Sequence, residues 1–274
     1  MPTEERERQE KFAATLLALA LRAERAVGLR IRPDFLKSMR QIRRLVQRMA
    51  ADGEFRQYEW RQLRRQAPDI LAPAIAAMAV ELLPELKDLA GPVQVFGQDY
   101  ADLEPTDTEE PDDREILATT LIAGIPLVKL LGPGGSMSQS LTNFLDRTVT
   151  VGLLRGDTTA KIADDVISLV MIDGKLTSRI KKGSFSSKAS TQIKNTIASG
   201  VWSAVNNNLF TAWRNVDNTQ WQWNAVNDER LCPICAPLDG KIVPKPTSFV
   251  STVFGINQPP VHPNCRCVIL PLKT

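Results

Sequence analysis

Apolar residues recur at three-and-four spacing through most of this chain, so the pattern predicts helices first. Glu4 to Leu29 carries one such pattern. Pro33 to Ala51 carries a second, with Phe35, Leu36, Met39, Ile42, Leu45, Val46 and Met49 as its stripe. Pro33-Asp34 suits a helix start and Asp52-Gly53 a stop. Pro68, Pro73 and Pro84 punctuate the next apolar stretch, Ile70 to Leu89. Each proline removes a backbone donor, which predicts a broken or kinked helix there. Helical pattern resumes over Arg114 to Leu131, turns at Gly132-Pro133-Gly134-Gly135, and restarts over Leu141 to Leu154. The glycine group lacks the Gly-Lys-Ser/Thr of a phosphate loop and reads as a helix-to-helix turn. Gly156-Asp157-Thr158-Thr159 reads as an N-cap before Ile162, Val166, Ile167 and Val170. After a Ser/Gly/Lys-rich loop, Lys181 to Lys188, a long helix is expected from Ser190 to Trp213. Its buried stripe is Ile193, Ile197, Val201, Val205 and Leu209.

The period then changes from helical to alternating. Thr219 to Val226 reads as a half-buried strand with Trp221 and Trp223 on one face. Lys241-Ile242-Val243 and Cys267 to Leu272 are short strand candidates. Asp239-Gly240 is a hairpin signal, with Gly240 supplying a positive φ. The expected class is mainly α (α+β): helical N-terminal and middle regions, then a small β-rich cysteine module at the C-terminus. Gly91 to Asp113 differs from the rest, with Asp99, Asp102, Glu104, Asp107, Glu109, Glu110, Asp112 and Asp113 but no Lys or Arg. It reads as an acidic linker or loop. The expected division is a helical region 1–90, the linker 91–113, and a domain 114–274, helical over 114–218 and β-rich over 219–274.

Composition narrows the function only slightly. The 274 residues are 43% hydrophobic, enough for one large core or two ordinary ones. A net charge of +3 is too weak to assign a nucleic-acid partner. Locally, Arg30, Arg32, Lys37, Arg40, Arg43, Arg44 and Arg48, then Arg56, Arg61, Arg64 and Arg65, would suit phosphates or an acidic protein surface. No aromatic residues interleave with them, which favours a solvated helix face with Glu partners. No apolar run of 18 residues occurs, so no membrane span is expected. The acids of Thr3 to Arg8, without a cleavage site, speak against a signal peptide. Synthesis is therefore expected in a reducing cytoplasm, where clustered cysteines more often hold metal than form disulfides.

All four cysteines and the single histidine lie between Cys232 and Cys267. Cys232-Pro233-Ile234-Cys235 presents two thiolates from one turn, and His262, Cys265 and Cys267 answer them downstream. Such a set can surround a tetrahedral zinc ion. In extended backbone Cys265 and Cys267 point to one face, with Arg266 opposite. Five candidates compete for four places: four thiolates with His262 nearby, or three thiolates with His262 as the fourth ligand. Two disulfides, or thiols that simply pack, remain alternatives. Catalytic zinc would need an open position and a general base, and no His-Glu-x-x-His occurs. A Cys–His nucleophile would use His262, yet the paired spacing explains the same residues. The expected metal ligands are thus drawn from Cys232, Cys235, His262, Cys265 and Cys267, with zinc in a structural role and no catalytic set. Asp228, Glu229 and Arg230 are expected to support the Cys232 turn.

Trp221-Gln222-Trp223, Asp228-Glu229-Arg230-Leu231-Cys232-Pro233-Ile234-Cys235, Leu238-Asp239-Gly240, His262-Pro263-Asn264-Cys265-Arg266-Cys267 and a closing Leu270-Pro271 follow one another in order. This string resembles the Mu F-like head-morphogenesis proteins of tailed bacteriophages, also called minor capsid or minor head proteins. The resemblance covers residues 190–272 well and extends over the helices of 115–190; residues 1–112 have no part in it. It implies a virion component near the portal vertex, acting in head assembly with portal or neighbouring head proteins and in some members ejected with the DNA. It supplies no catalytic residues. Family members often carry an Ala-Arg-Thr-Glu-like segment in the long helix, where this chain reads Asn206 to Trp213. Two other readings stand beside it: a zinc-stabilised nucleic-acid-binding protein touching packaged DNA, and a metal-dependent or Cys-based hydrolase.

Overall fold

The computed structural model describes residues 3–49, 57–103, 112–114, 116, 120–122, 125–132, 135–166, 169–172, 175–180, 184–213, 220–225, 233–244, 259 and 265–272. The chain is mainly α. Its helices are α1 (Thr3–Met49), α2 (Gln57–Tyr100), α3 (Leu127–Leu131), α4 (Ser136–Leu154), α5 (Thr159–Val166) and α6 (Phe185–Trp213). Its strands are β1 (Leu121–Ile122), β2 (Ile125–Pro126), β3 (Leu169–Ile172), β4 (Lys175–Ile180), β5 (Gln220–Asn224), β6 (Ile242–Pro244) and β7 (Val268–Leu272).

Several boundaries differ from the sequence expectation, each for a physical reason. Pro33 lies inside α1 and does not start a new helix. A proline there costs about 3 kcal/mol. Val27, Ile31, Phe35 and Met39 continue one buried stripe across it, and each such side chain contributes roughly 1.5–3 kcal/mol, so burial wins. Pro68, Pro73 and Pro84 likewise sit within a single α2. That helix runs to Tyr100, so the stretch 91–100 is its last turns rather than a linker. Val93, Gln94, Gln98 and Tyr100 are buried there. Residues 104–111, the centre of the acidic segment, lie outside the described residues.

The helix expected over Arg114 to Leu131 is replaced in part by the antiparallel pair β1–β2, Leu121 opposite Pro126. Pro126 disfavours helix at the residue before it, so α3 begins only at Leu127. Val170 falls in β3, paired with β4, and not in the helix that ends at Val166. The Asp173-Gly174 that separates these strands in sequence is a hairpin signal. Thr158 does cap α5, its Oγ1 accepting from the Lys161 amide at 3.4 Å.

The chain forms two compact units, which do not follow a division at residue 90: one from residues 1–27, 82–128 and 195–274, the other from 28–81 and 129–194. In the second unit Leu63, Leu71 and Met78 of α2 and Leu141, Leu145 and Val149 of α4 are buried. Arg30, Arg43 and Arg64 pair with Glu81, Asp164 and Asp146 at 3.4–3.6 Å. These pairs are partly or largely exposed and contribute little against such a core.

The first unit positions the cysteines. A run of rings joins three helices to the sheet: Phe12 of α1 stacks on Phe96 of α2 at 4.8 Å, and Trp213 of α6 meets Phe12 and Trp221 of β5 at 6.0 Å each. Phe210 stacks on Trp221 at 4.7 Å. Gly97 lets α2 approach α6, because a Cβ there would lie 3.0 Å from Leu209 and 3.3 Å from Trp213. The Trp213 indole donates to the Gly97 carbonyl at 2.6 Å. Residues 196–206 of α6 are buried without interruption. From Ile197 to Val205 the expected stripe therefore belongs to a helix segment covered on all sides.

Candidate metal centre

The sheet of the first unit has the order β6-β5-β7, both pairs antiparallel. Its central strand is not half-buried as expected. Trp221, Gln222 and Trp223 are all buried. Gln222 is tolerated inside because its amide is used twice, accepting from Gln9 at 3.1 Å and donating to the Gly240 carbonyl at 3.4 Å.

Backbone pairing at Trp223 sets the rest. Its amide donates to the Lys241 carbonyl at 2.9 Å and its carbonyl accepts from Gly240 at 2.8 Å. Antiparallel pairing alternates, so Trp221 and Trp223 turn their backbone groups to β6, and Gln220, Gln222 and Asn224 theirs to β7. Pro271, opposite Trp221, then stands where no ladder donor is needed, on an edge strand, as proline requires.

The thiols sit just past the end of this ladder. Cys235 closes a turn that runs into a single 3-10 turn, Ala236–Leu238. Its carbonyl accepts from the Leu238 and Asp239 amides at 2.9 and 3.2 Å. Gly240 has φ +73°, the left-handed conformation expected for it. The Asp239 carboxylate accepts from the Ala225 amide at 2.8 Å, holding the knuckle against the end of β5. Cys265 and Cys267 lead into β7 with alternating direction, which turns both toward Cys235.

The three sulfurs lie within 4.8 Å of one another, and all three residues are buried. Cys235 and Cys265 are 3.8 Å apart, and none of the three residues is in a disulfide. Two thiolates bound to one tetrahedral zinc at about 2.3 Å are themselves roughly 3.8 Å apart, whereas a disulfide holds its sulfurs at about 2.05 Å. The donor set therefore fits a soft tetrahedral metal. Hydrogen bonds to Cys265 and Cys267, followed by burial, push the Cys235 thiol far above its ordinary range. For Cys267 the bond with Cys235 pulls downward, but Cys265 and burial outweigh it, and the net shift is upward. Metal binding would have to displace the protons that these shifts favour.

Of the five ligands expected from the sequence, the structure brings together Cys235, Cys265 and Cys267. Cys232 and His262 lie outside the described residues, as do Asp228, Glu229 and Arg230. Arg266 is half-buried. One contributor carried no expectation. Asn206 of α6 is fully buried, and its side-chain amide donates to the Trp202 carbonyl at 2.9 Å and the Cys267 carbonyl at 3.1 Å. In the sequence it is the first of three asparagines, Asn206-Asn207-Asn208, between the stripe positions Val205 and Leu209.

The fold and site define a class: a mainly helical protein whose small terminal sheet carries a buried cluster of soft ligands. Residues 143–270 match the family model described as Phage Mu protein F like protein. The match runs from α4 into β7 and includes both the buried helix and the thiols; residues 1–142 lie outside it. No curated protein and no solved structure matches the chain. Among the described residues, no helix is long and apolar enough to cross a membrane.

Proposed function

We propose that this protein is a structural minor head protein of a tailed bacteriophage, made in the host cytoplasm and incorporated in the virion by docking near the portal vertex. The observation that carries this reading is the family match over 143–270, in the segment that contains the buried thiols. A structural zinc ion would be held by Cys235, Cys265 and Cys267 with a fourth ligand from Cys232 or His262. Bound there, it would supply cross-linking between the Cys235 turn and β7, a cluster otherwise dependent on one short sheet. Buried, mutually hydrogen-bonded thiols suit a closed structural site better than an exposed nucleophile.

Charge supports docking to an acidic partner. The residues of the second unit include 21 Lys and Arg against 11 Asp and Glu, and those of the first 13 against 20. The small net charge thus conceals a strongly basic unit, and attraction through it weakens with salt. Co-expression with the portal protein of the same genome, followed by purification at moderate salt, tests the reading. A stoichiometric complex that survives nuclease is the expected result. A protein that ignores portal but shifts duplex DNA would replace docking with the nucleic-acid reading.

A further inference from the structure

We propose that Asn206 is the positioning residue of the thiol centre, fixing Cys267 for the metal from the middle of the buried helix. The inference rests on the metal reading above and names a residue to which that reading gives no role. β7 is an edge strand, and Cys267 lies one residue before its first pair, Val268 with Asn224. By the alternation of the ladder, the Cys267 carbonyl points away from β5, so the sheet offers it no donor. Asn206 supplies one, 61 residues away in sequence, at 3.1 Å. Its second donor proton goes to the Trp202 carbonyl one turn back on α6, which prevents the amide from swinging. The side chain is therefore held at both donor positions, and the peptide plane following Cys267 is set by the continuously buried segment 196–206 of α6. Cys267 and Cys265 share one short segment, so fixing one carbonyl orients two of the three sulfurs. A buried amide is costly unless used, and both of its donor positions are used here.

A merely structural role predicts lost stability alone, while a positioning role also predicts lost metal affinity. The full-length chain is titrated with Co2+, read by its thiolate charge-transfer and ligand-field bands, and then with competing Zn2+. Asn206→Leu keeps the approximate volume and removes both donors. It is expected to weaken metal binding by about 10- to 100-fold, the usual effect of losing a group that orients a ligand. Val205→Ala, a buried truncation on the same helix, is expected to lower the melting temperature while leaving affinity within about twofold. Wild-type affinity in Asn206→Leu, or an equal loss in Val205→Ala, overturns the proposal while the metal reading stands. A wild-type chain that binds neither Co2+ nor Zn2+ overturns both. If Asn206→Leu does not fold, the wild-type chain decides: the Asn206 side-chain amide resonances should shift and exchange more slowly on metal loading, and no change contradicts the proposal.

Discussion

The Cys235–Cys265–Cys267 cluster sets a pH dependence whose sign differs with and without metal. In the metal-free fold the Cys235 and Cys267 thiols are raised above their ordinary range, so the folded state holds their protons more tightly than the unfolded chain does. That stabilisation is complete below the unfolded thiol pKa, about 8.5, and is lost as pH rises toward the folded values. Metal uptake displaces the same protons and therefore strengthens with pH. Thermal scans with chelator should show a flat melting temperature from pH 6.5 to 8 and a fall above about 8.5. The increment conferred by Zn2+ should grow over the lower interval. A chelated protein that gained stability above pH 8.5 would show that the thiols are not buried as described. The spacing of the cysteines made this cluster legible in the sequence. Asn206 was not legible in the same way, because its partner carbonyl is brought to it only by the packing of α6 beside β7.

Among the elements, helix existence and the late switch to strands were readable, and the errors fell where tertiary burial opposed local signals. Proline punctuation suggested breaks at Pro33 and within Ile70 to Leu89, yet the buried stripes run on through α1 and α2. The same limit hid the covering of Gln222, whose partner Gln9 is 213 residues away. Gly97 is another residue whose meaning is set by a distant element. Gly97→Val would drive a branched side chain into Leu209 and Trp213 where even a Cβ is at 3.0–3.3 Å. It should lower unfolding free energy by about 1–3 kcal/mol in denaturant titration, the usual cost of overpacking. A neutral substitution would mean that α2 and α6 are not held at that distance.

Among the described residues, Cys235, Cys265 and Cys267 lie in the same unit as the run of aromatic contacts from Phe12 through Trp213 to Trp221. The terminal module is therefore not an appendage: β5 packs through Trp221 on α6, and Cys267 is bonded to it. Composition alone could not reveal this, nor the division of charge between the two units, because both depend on which distant segments fold together. A structural metal at this point would stabilise the unit that also holds residues 3–27 of α1 and 82–100 of α2. The most direct test is the intact mass and metal content of the folded chain, purified under reducing conditions and sprayed from native buffer. The folded chain should carry about one zinc, lost to strong chelator together with a drop in melting temperature. Folded protein that carries no metal, takes up none when zinc is supplied, and shows four free thiols would contradict a structural zinc site.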